Sequence, residues 1–274
     1  MLDRLGPRQL EEFRLRFSDR DIAILTSLRE HRFLTTQQII RLHFHNHATF
    51  AAGARACSRV LERLQRLRTI ARIQRRVGGT GGGSTAQIWT LDINGHRILS
   101  ETDKRSRNLF DPSLTFLNHT LAVAETRVTL EEITRTHAIN LVKVDVEVPA
   151  WRQFFGSGGQ TIWLKPDLAA VTTDQEFDDH WFIEVDLGTE SPRTVLNKCA
   201  VYELYRRTGK EQAAHGVFPR VLWLTPNETR ADQLRTAIAS SRSLHPRLFT
   251  IAPFDHLEAI ITNQTPEPGK EETP

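Results

Sequence analysis

The chain has 274 residues with 36 Lys+Arg, 33 Asp+Glu and a formal net charge of +3, an ordinary globular composition long enough for one large domain or two small ones. It contains no apolar run of membrane length, and its first residues, MLDRLGPRQLEEFRLRF, lack a signal-peptide core. The two cysteines, Cys57 and Cys199, fit no metal or redox spacing, so a reduced cytoplasmic setting with no membrane association is expected.

The charge is unevenly spread. Residues 1–110 hold 20 Lys+Arg against 10 Asp+Glu, whereas the remainder holds 16 against 23. That asymmetry points to a first half that faces nucleic acid and a second half with another task. The first half opens on FSDRDIAILTSLREH, where Ser18 and Asp21 have capping-box spacing and Ile22, Leu25 and Leu28 recur at helical intervals. TTQQIIRLHF repeats the device with Thr35 and Gln38. A third helix, GARACSRVLERLQRL, sets Arg55, Arg59, Arg63 and Arg66 on one stripe, with Cys57, Val60, Leu61, Leu64 and Leu67 roughly opposite. An apolar back and an arginine front suit a major groove.

ARIQRRVGGTGGGSTAQIWTL then reads as two strands, Ile73 to Val77 and Ala86 to Leu91, around a glycine-rich tip. Three helices followed by a basic hairpin make a winged helix-turn-helix pattern over residues 1–99. Arg72, Arg75 and Arg76 at the base of the wing would meet phosphate or the minor groove of double-stranded DNA. Between Arg32 and Arg76 ten arginines face a single acid, Glu62, so released counterions would supply affinity. GGTGGGST places Gly78, Gly83 and Ser84 at phosphate-loop positions but has no lysine and no following helix, so no nucleotide cofactor is expected. His43, His45 and His47 of HFHNH read as a polar helix end or loop.

Residues 100–113 read as a linker, 114–262 as a second domain and 263–274 as a disordered tail. A long helix, LTFLNHTLAVAETRVTLEEITRTH, buries Leu117, Leu121, Ala124 and Val128; His119 and Glu125 are polar residues within it, kept as site candidates. Three strands follow, NLVKVDVEV, TIWLKPDLAAVT and HWFIEVDL, with PAWRQFFGSGGQ and TDQEFDD as connecting loops. A helix starts at Ser191 and Pro192, then come the strand RVLWLT, a helix in ETRADQLRTAIASS and a last strand in LFTIAPF. The order αβββαβ predicts an α+β or α/β layer around a mixed sheet.

In FIEVDLGTES, Glu184 and Asp186 interrupt an otherwise apolar strand. Two carboxylates two residues apart share a face and repel unless a cation or a proton compensates. If the strands carrying Asp167 and Glu184 pair as a hairpin, these acids converge, and Mg²⁺ or Mn²⁺ suits such oxygen donors. A metal-bound water would then attack a phosphodiester.

The αβββαβ order with Pro166-Asp167 and Glu184 resembles the PD-(D/E)XK nuclease superfamily. More closely, the whole chain resembles the replication-relaxation family of plasmids and mobile elements, in which a winged helix precedes a segment matched here by Pro166, Asp167, Glu184, Asp186, Gly188, Thr189, Glu190, Lys198 and Tyr202. The resemblance implies a restriction-endonuclease-like second domain and a role in plasmid replication, relaxation or transfer, with other plasmid replication or transfer proteins as partners. It also implies catalytic roles for Asp167, Glu184, Asp186 and Lys198, the three acids holding the metal. Asp186 stands where the nuclease pattern has lysine, and Lys198, one helical stretch beyond Pro192, is the expected replacement, with Thr189, Glu190 and Tyr202 as further candidates. A non-catalytic DNA-binding regulator with a degenerate second domain is the alternative reading.

Overall fold

In a computed structural model, residues 12, 14–73, 87–99, 112–174 and 176–263 are described below. The chain divides into two compact units, Met1–Val128 and Thr129–Pro274. The division falls within a helix, later in the chain than the linker expected at 100–113, of which residues 100–111 lie outside the described residues.

The first unit opens with α1 (Asp19–His31), a short β1 (Leu34–Thr35), α2 (Thr36–His43) and α3 (Phe50–Arg66). Both capping boxes form: the Ser18 amide donates to Asp21 Oδ2 at 2.9 Å, and the Thr35 amide donates to Gln38 Oε1, also at 2.9 Å. Each satisfies two amides that the first helical turn leaves without intrahelical partners. Strands β2 (Ile70–Ile73) and β3 (Ile88–Leu91) pair antiparallel, and β1 adds to the far side of β3. The first strand of this pair begins at Ile70, three residues before its expected start, because Ile70 fills the core, fully buried beside Leu64 and Leu91. Residues 74–86, with Arg75, Arg76 and the glycine-rich tip, lie outside the described residues. Helix α4 (Ile93–Leu99), which periodicity missed, follows directly; its Gly95 sits so close to the Thr69 carbonyl that a Cβ would fall 2.1 Å from the oxygen.

Helix α5 (Leu114–Thr136) buries Leu117, Leu121, Ala124 and Val128, the expected stripe. In the second unit β4 (Asn140–Val146), β7 (Leu168–Thr173), β8 (Asp178–Val185), β9 (Arg220–Thr225) and β10 (Phe249–Pro253) form a five-stranded mixed sheet of order β10-β9-β8-β7-β4. The β4–β7–β8 neighbours run antiparallel and the β8–β9–β10 neighbours parallel, the latter joined by α6 (Pro192–Arg207), the short α7 (Lys210–His215) and α8 (Glu228–Ala239). Short α9 (Leu257–Ile261) closes the described part of the chain.

Two expectations change here. TIWLKPDLAAVT is not one strand: it breaks at Lys165-Pro166-Asp167 into β6 (Thr161–Leu164) and β7. A proline has no amide to give the ladder, so the chain leaves one sheet and enters another there. PAWRQFFGSGGQ is not a plain loop either: it contains β5 (Arg152–Phe155), which pairs antiparallel with β6 in a separate ribbon. A turn with Gly159 at φ 74° closes that ribbon.

The second unit's main core gathers Phe182, Val195, Cys199, Tyr202, Tyr205, Val221 and Trp223 between the sheet, α6 and α8, with Phe154 and Leu164 of the ribbon packed against them. Cys57 in the first unit and Cys199 in the second are both fully buried, and burial pushes each thiol up to about 12. Among the described residues no helix is long and apolar enough to cross a membrane.

Candidate functional site

The acids of the second unit are positioned by the β7–β8 ladder. Leu168 is opposite Ile183 and Ala169 opposite Phe182; extending that register by one residue sets Asp167 opposite Glu184. Cross-strand neighbours have Cβ atoms about 5 Å apart. Glu184 shares the face of Phe182, whose ring lies 5.8 Å from Tyr202 of α6, so both acids lie under α6. The Val185 amide donates to Asp167 Oδ2 at 2.8 Å and fixes that carboxylate across the strands.

Glu184 is 2 % exposed in the body of the sheet. The Tyr202 hydroxyl donates to its Oε1 at 2.6 Å, and Lys198 Nζ lies 3.8 Å from its Oε2. Burial, aided by the charge of Asp167, pushes the Glu184 carboxyl up to about 8, with Lys198 and Tyr202 pulling the other way. Tyr202 is driven well above the usual phenol range, first by burial and then by Glu184. For Lys198, burial acts to lower the ammonium, but the charges of Glu184, Glu190 and Asp167 together outweigh it and hold it above its ordinary value.

Lys198 reaches this place because α6 starts at once after the strand. Ser191 caps it, accepting from the Thr194 amide at 3.2 Å, and Pro192 occupies its first turn. The helix then runs back over the sheet and brings Lys198 level with Glu184. Lys198 Nζ is 3.2 Å from Glu190 Oε1 and 5.7 Å from the Trp223 ring centroid, and its side chain is 40 % exposed.

Asp186, expected as a third metal ligand, is engaged elsewhere. Arg230 of α8 donates to both its oxygens, at 2.6 and 3.3 Å, and to the Glu190 carbonyl at 2.6 Å. The Gly188 amide donates to Asp186 Oδ1 at 3.1 Å, with Gly188 at φ 76° closing the turn. This buried pair ties the end of β8 to the start of α8. Among the described residues no group of three or more His, Cys, Asp or Glu side chains is arranged to hold a metal ion. The residues brought together are Asp167, Glu184, Glu190, Lys198 and Tyr202. Thr189 is exposed in the turn after β8. Arg230 was missed from sequence, since nothing near it marks a partner 44 residues earlier.

Glu125 and His119 belong to the first unit. Glu125 is paired with Arg41 and accepts from Gln38 Nε2 at 3.0 Å; His119 is half-buried on α5. His43 is bonded to Ser27 Oγ at 3.0 Å, and His47 stacks on Phe44 with centroids 6.0 Å apart, so these two histidines of HFHNH are held in local packing, while His45 is exposed.

On α3, Arg55, Arg59 and Arg66 are exposed, within an arc of about 40° over a rise of about 16 Å. Arg63 is different: it pairs at 2.5 Å with Asp21, whose carboxyl that bond and the Ser18 cap hold below its usual range against the opposing effect of burial. Arg72, on β2 opposite Trp89, is exposed.

Searches of the curated proteins and of the solved structures returned no match. The family model described as replication-relaxation matches residues 25–221, from α1 to the first residues of β9, so both the arginine-bearing helix and the buried acid cluster fall within the match, and the chain belongs to the replication-relaxation family.

Proposed function

We propose that this chain is a cytoplasmic DNA-binding protein acting in the replication or relaxation of a plasmid or other mobile element. In this reading the first unit is a winged helix that docks on duplex DNA, and the second is a nuclease-like domain that cuts or nicks a strand. The observation that carries the proposal is the juxtaposition of Asp167, Glu184 and Lys198 on one face of the sheet, two carboxylates and one ammonium in the chemistry that phosphodiester cleavage needs. Support for the duplex contact comes from Arg55, Arg59 and Arg66, turned outward on one side of α3.

The donor set fits a single hard divalent cation such as Mg²⁺ or Mn²⁺, with oxygens from Asp167 and Glu184 and the remaining positions filled by water. It does not fit the three-acid arrangement expected from sequence, because Asp186 is committed to Arg230. Burial and the charge of Asp167 hold the Glu184 carboxyl up, and a divalent ion bound beside both acids would favour its charged form. When bound, the ion would lower the pKa of a coordinated water and neutralise charge on the phosphate. Asp167 is oriented by the Val185 amide, Glu184 is steadied by Tyr202, and Lys198 presents its ammonium toward the same place from a partly open side. Lys198 thereby takes the role that the strand position of Asp186 leaves unfilled.

A second reading, a regulator that binds DNA and cleaves nothing, is favoured by the same Arg230–Asp186 pair and by the deep burial of Glu184. The test is nicking of supercoiled plasmid with Mg²⁺ or Mn²⁺. Wild type is expected to produce open-circle DNA, and Asp167→Asn, Glu184→Gln and Lys198→Ala to lose at least about a hundredfold in rate, the scale of a removed charge-stabilising group. Nicking by wild type that does not exceed that of Asp167→Asn refutes the cleavage reading and leaves the regulator.

A further inference from the structure

The β5–β6 ribbon has two unlike faces. Its inner face carries Arg152, Phe154, Ile162 and Leu164: Phe154 packs 5.3 Å from Tyr205, and Arg152 is bound to Glu211 at 2.9 Å. By strict alternation the outer face carries Trp151, Gln153, Phe155, Thr161, Trp163 and Lys165. Burial agrees, with Phe155 69 % and Trp163 46 % exposed. Trp151 and Trp163 meet edge to face, centroids 6.4 Å apart, and Lys165 Nζ sits 4.6 Å over the Trp151 ring. Lys210 Nζ donates to the Gln153 carbonyl at 3.1 Å and adds a second ammonium beside the ribbon.

Exposed aromatic rings at spaced positions are costly to leave in water and rarely occur in contiguous patches without a partner. The charge identifies the partner. The outer-face positions of residues 149–166 carry Lys165 and no acid, with Lys210 beside them, in a half of the chain where acids outnumber bases; Arg152 faces inward and is paired with Glu211. Rings flanked by ammonium groups suit flat bases on an anionic backbone: each base stacks on a ring and each phosphate meets a cation. The ribbon also runs directly into Pro166-Asp167. Asp167 is four positions beyond Trp163, a Cα span of at most about 14 Å, or a few nucleotides of strand.

We infer that the outer face of the β5–β6 ribbon, Trp151, Phe155 and Trp163 with Lys165 and Lys210, is a stacking platform for unpaired DNA that delivers a single strand to the Asp167–Glu184 site. This rests on the cleavage reading for its purpose, but the binding it describes is measurable without cleavage.

The experiment uses the full chain, without divalent metal, and a short fluorescein-labelled oligo(dT), compared with an abasic deoxyribose-phosphate oligomer of the same length. Oligo(dT) is expected to bind wild type more tightly than the abasic oligomer and to quench tryptophan emission. Phe155→Ala/Trp163→Ala should weaken oligo(dT) about tenfold or more while leaving the abasic oligomer little changed. Lys165→Glu, at an exposed rim position, should weaken both and serves if the double variant does not fold. Equal oligo(dT) affinity in wild type and these variants overturns the platform, as does an abasic oligomer that binds as well as oligo(dT). Self-association lost in the double variant without any oligo(dT) effect also overturns it and assigns the face to a second copy of the chain. Asp167→Asn separates the two readings. A platform that binds oligo(dT) in a chain that never nicks refutes only cleavage, and nicking that persists without oligo(dT) preference refutes only the platform.

Discussion

Removing Arg230 should cost the second unit more than removing any acid of the cluster. Asp186 is 3 % exposed, and Arg230 supplies two of its hydrogen bonds at 2.6 and 3.3 Å. Arg230→Met would leave a buried carboxylate with only the Gly188 amide, and would also strip the Glu190 carbonyl of its donor. Breaking a buried pair from one side costs about 3–5 kcal/mol. For a unit of this size each kcal/mol lowers the melting midpoint by about 2–4 °C, so a fall of about 10 °C is expected. Circular dichroism melts of wild type, Arg230→Met, Asp186→Asn and the double variant would give the cycle. The double variant should recover part of the loss, because no charge is then left unpaired. A midpoint for Arg230→Met within about 2 °C of wild type would refute the assignment of Asp186 to structure and restore it as a candidate ligand.

Glu184 gives a pH signature in the absence of divalent metal. Its folded carboxyl, near 8, holds a proton that the unfolded chain releases near 4.5, so stability should fall as pH rises through that window. Glu184→Gln should flatten the fall in urea midpoints measured at pH 5, 7 and 9; an unchanged slope counts against the raised carboxyl. Arg55→Ala/Arg59→Ala/Arg66→Ala should weaken duplex binding and reduce the slope of log K on log salt by about 2–3, read by fluorescence anisotropy. Arg63→Ala should instead act mainly through stability, losing roughly 1–3 kcal/mol as Asp21 is left short of a partner. A triple variant with the salt slope of wild type would move the DNA contact off α3.

The local devices were legible in the sequence. Ser18, Thr35 and Ser191 announced their helices because a cap is decided within three or four residues. The meeting of Asp167 and Glu184 could be anticipated because a hairpin relates its strands by simple counting. The length of α6 needed to bring Lys198 back to Glu184 could be estimated from helical rise alone. What escaped depends on partners distant in sequence. Arg230 looks like any polar residue in a first helical turn until the fold sets it against Asp186. The ribbon was hidden because RQFF and TIWL are short, and TIWL merges by composition with the strand beyond Pro166. The division of labour among the arginines of α3 was hidden too, since only packing reveals that Arg63 leans on Asp21 while its neighbours face solvent.

The two cysteines offer an internal clock for each half of the molecule. One thiol is sealed in the first unit and the other on the buried face of α6 in the second, both protonated and shielded from reagent. Alkylation at either therefore waits for its own unit to open, and mass-resolved labelling rates would time the two openings separately without any engineered probe.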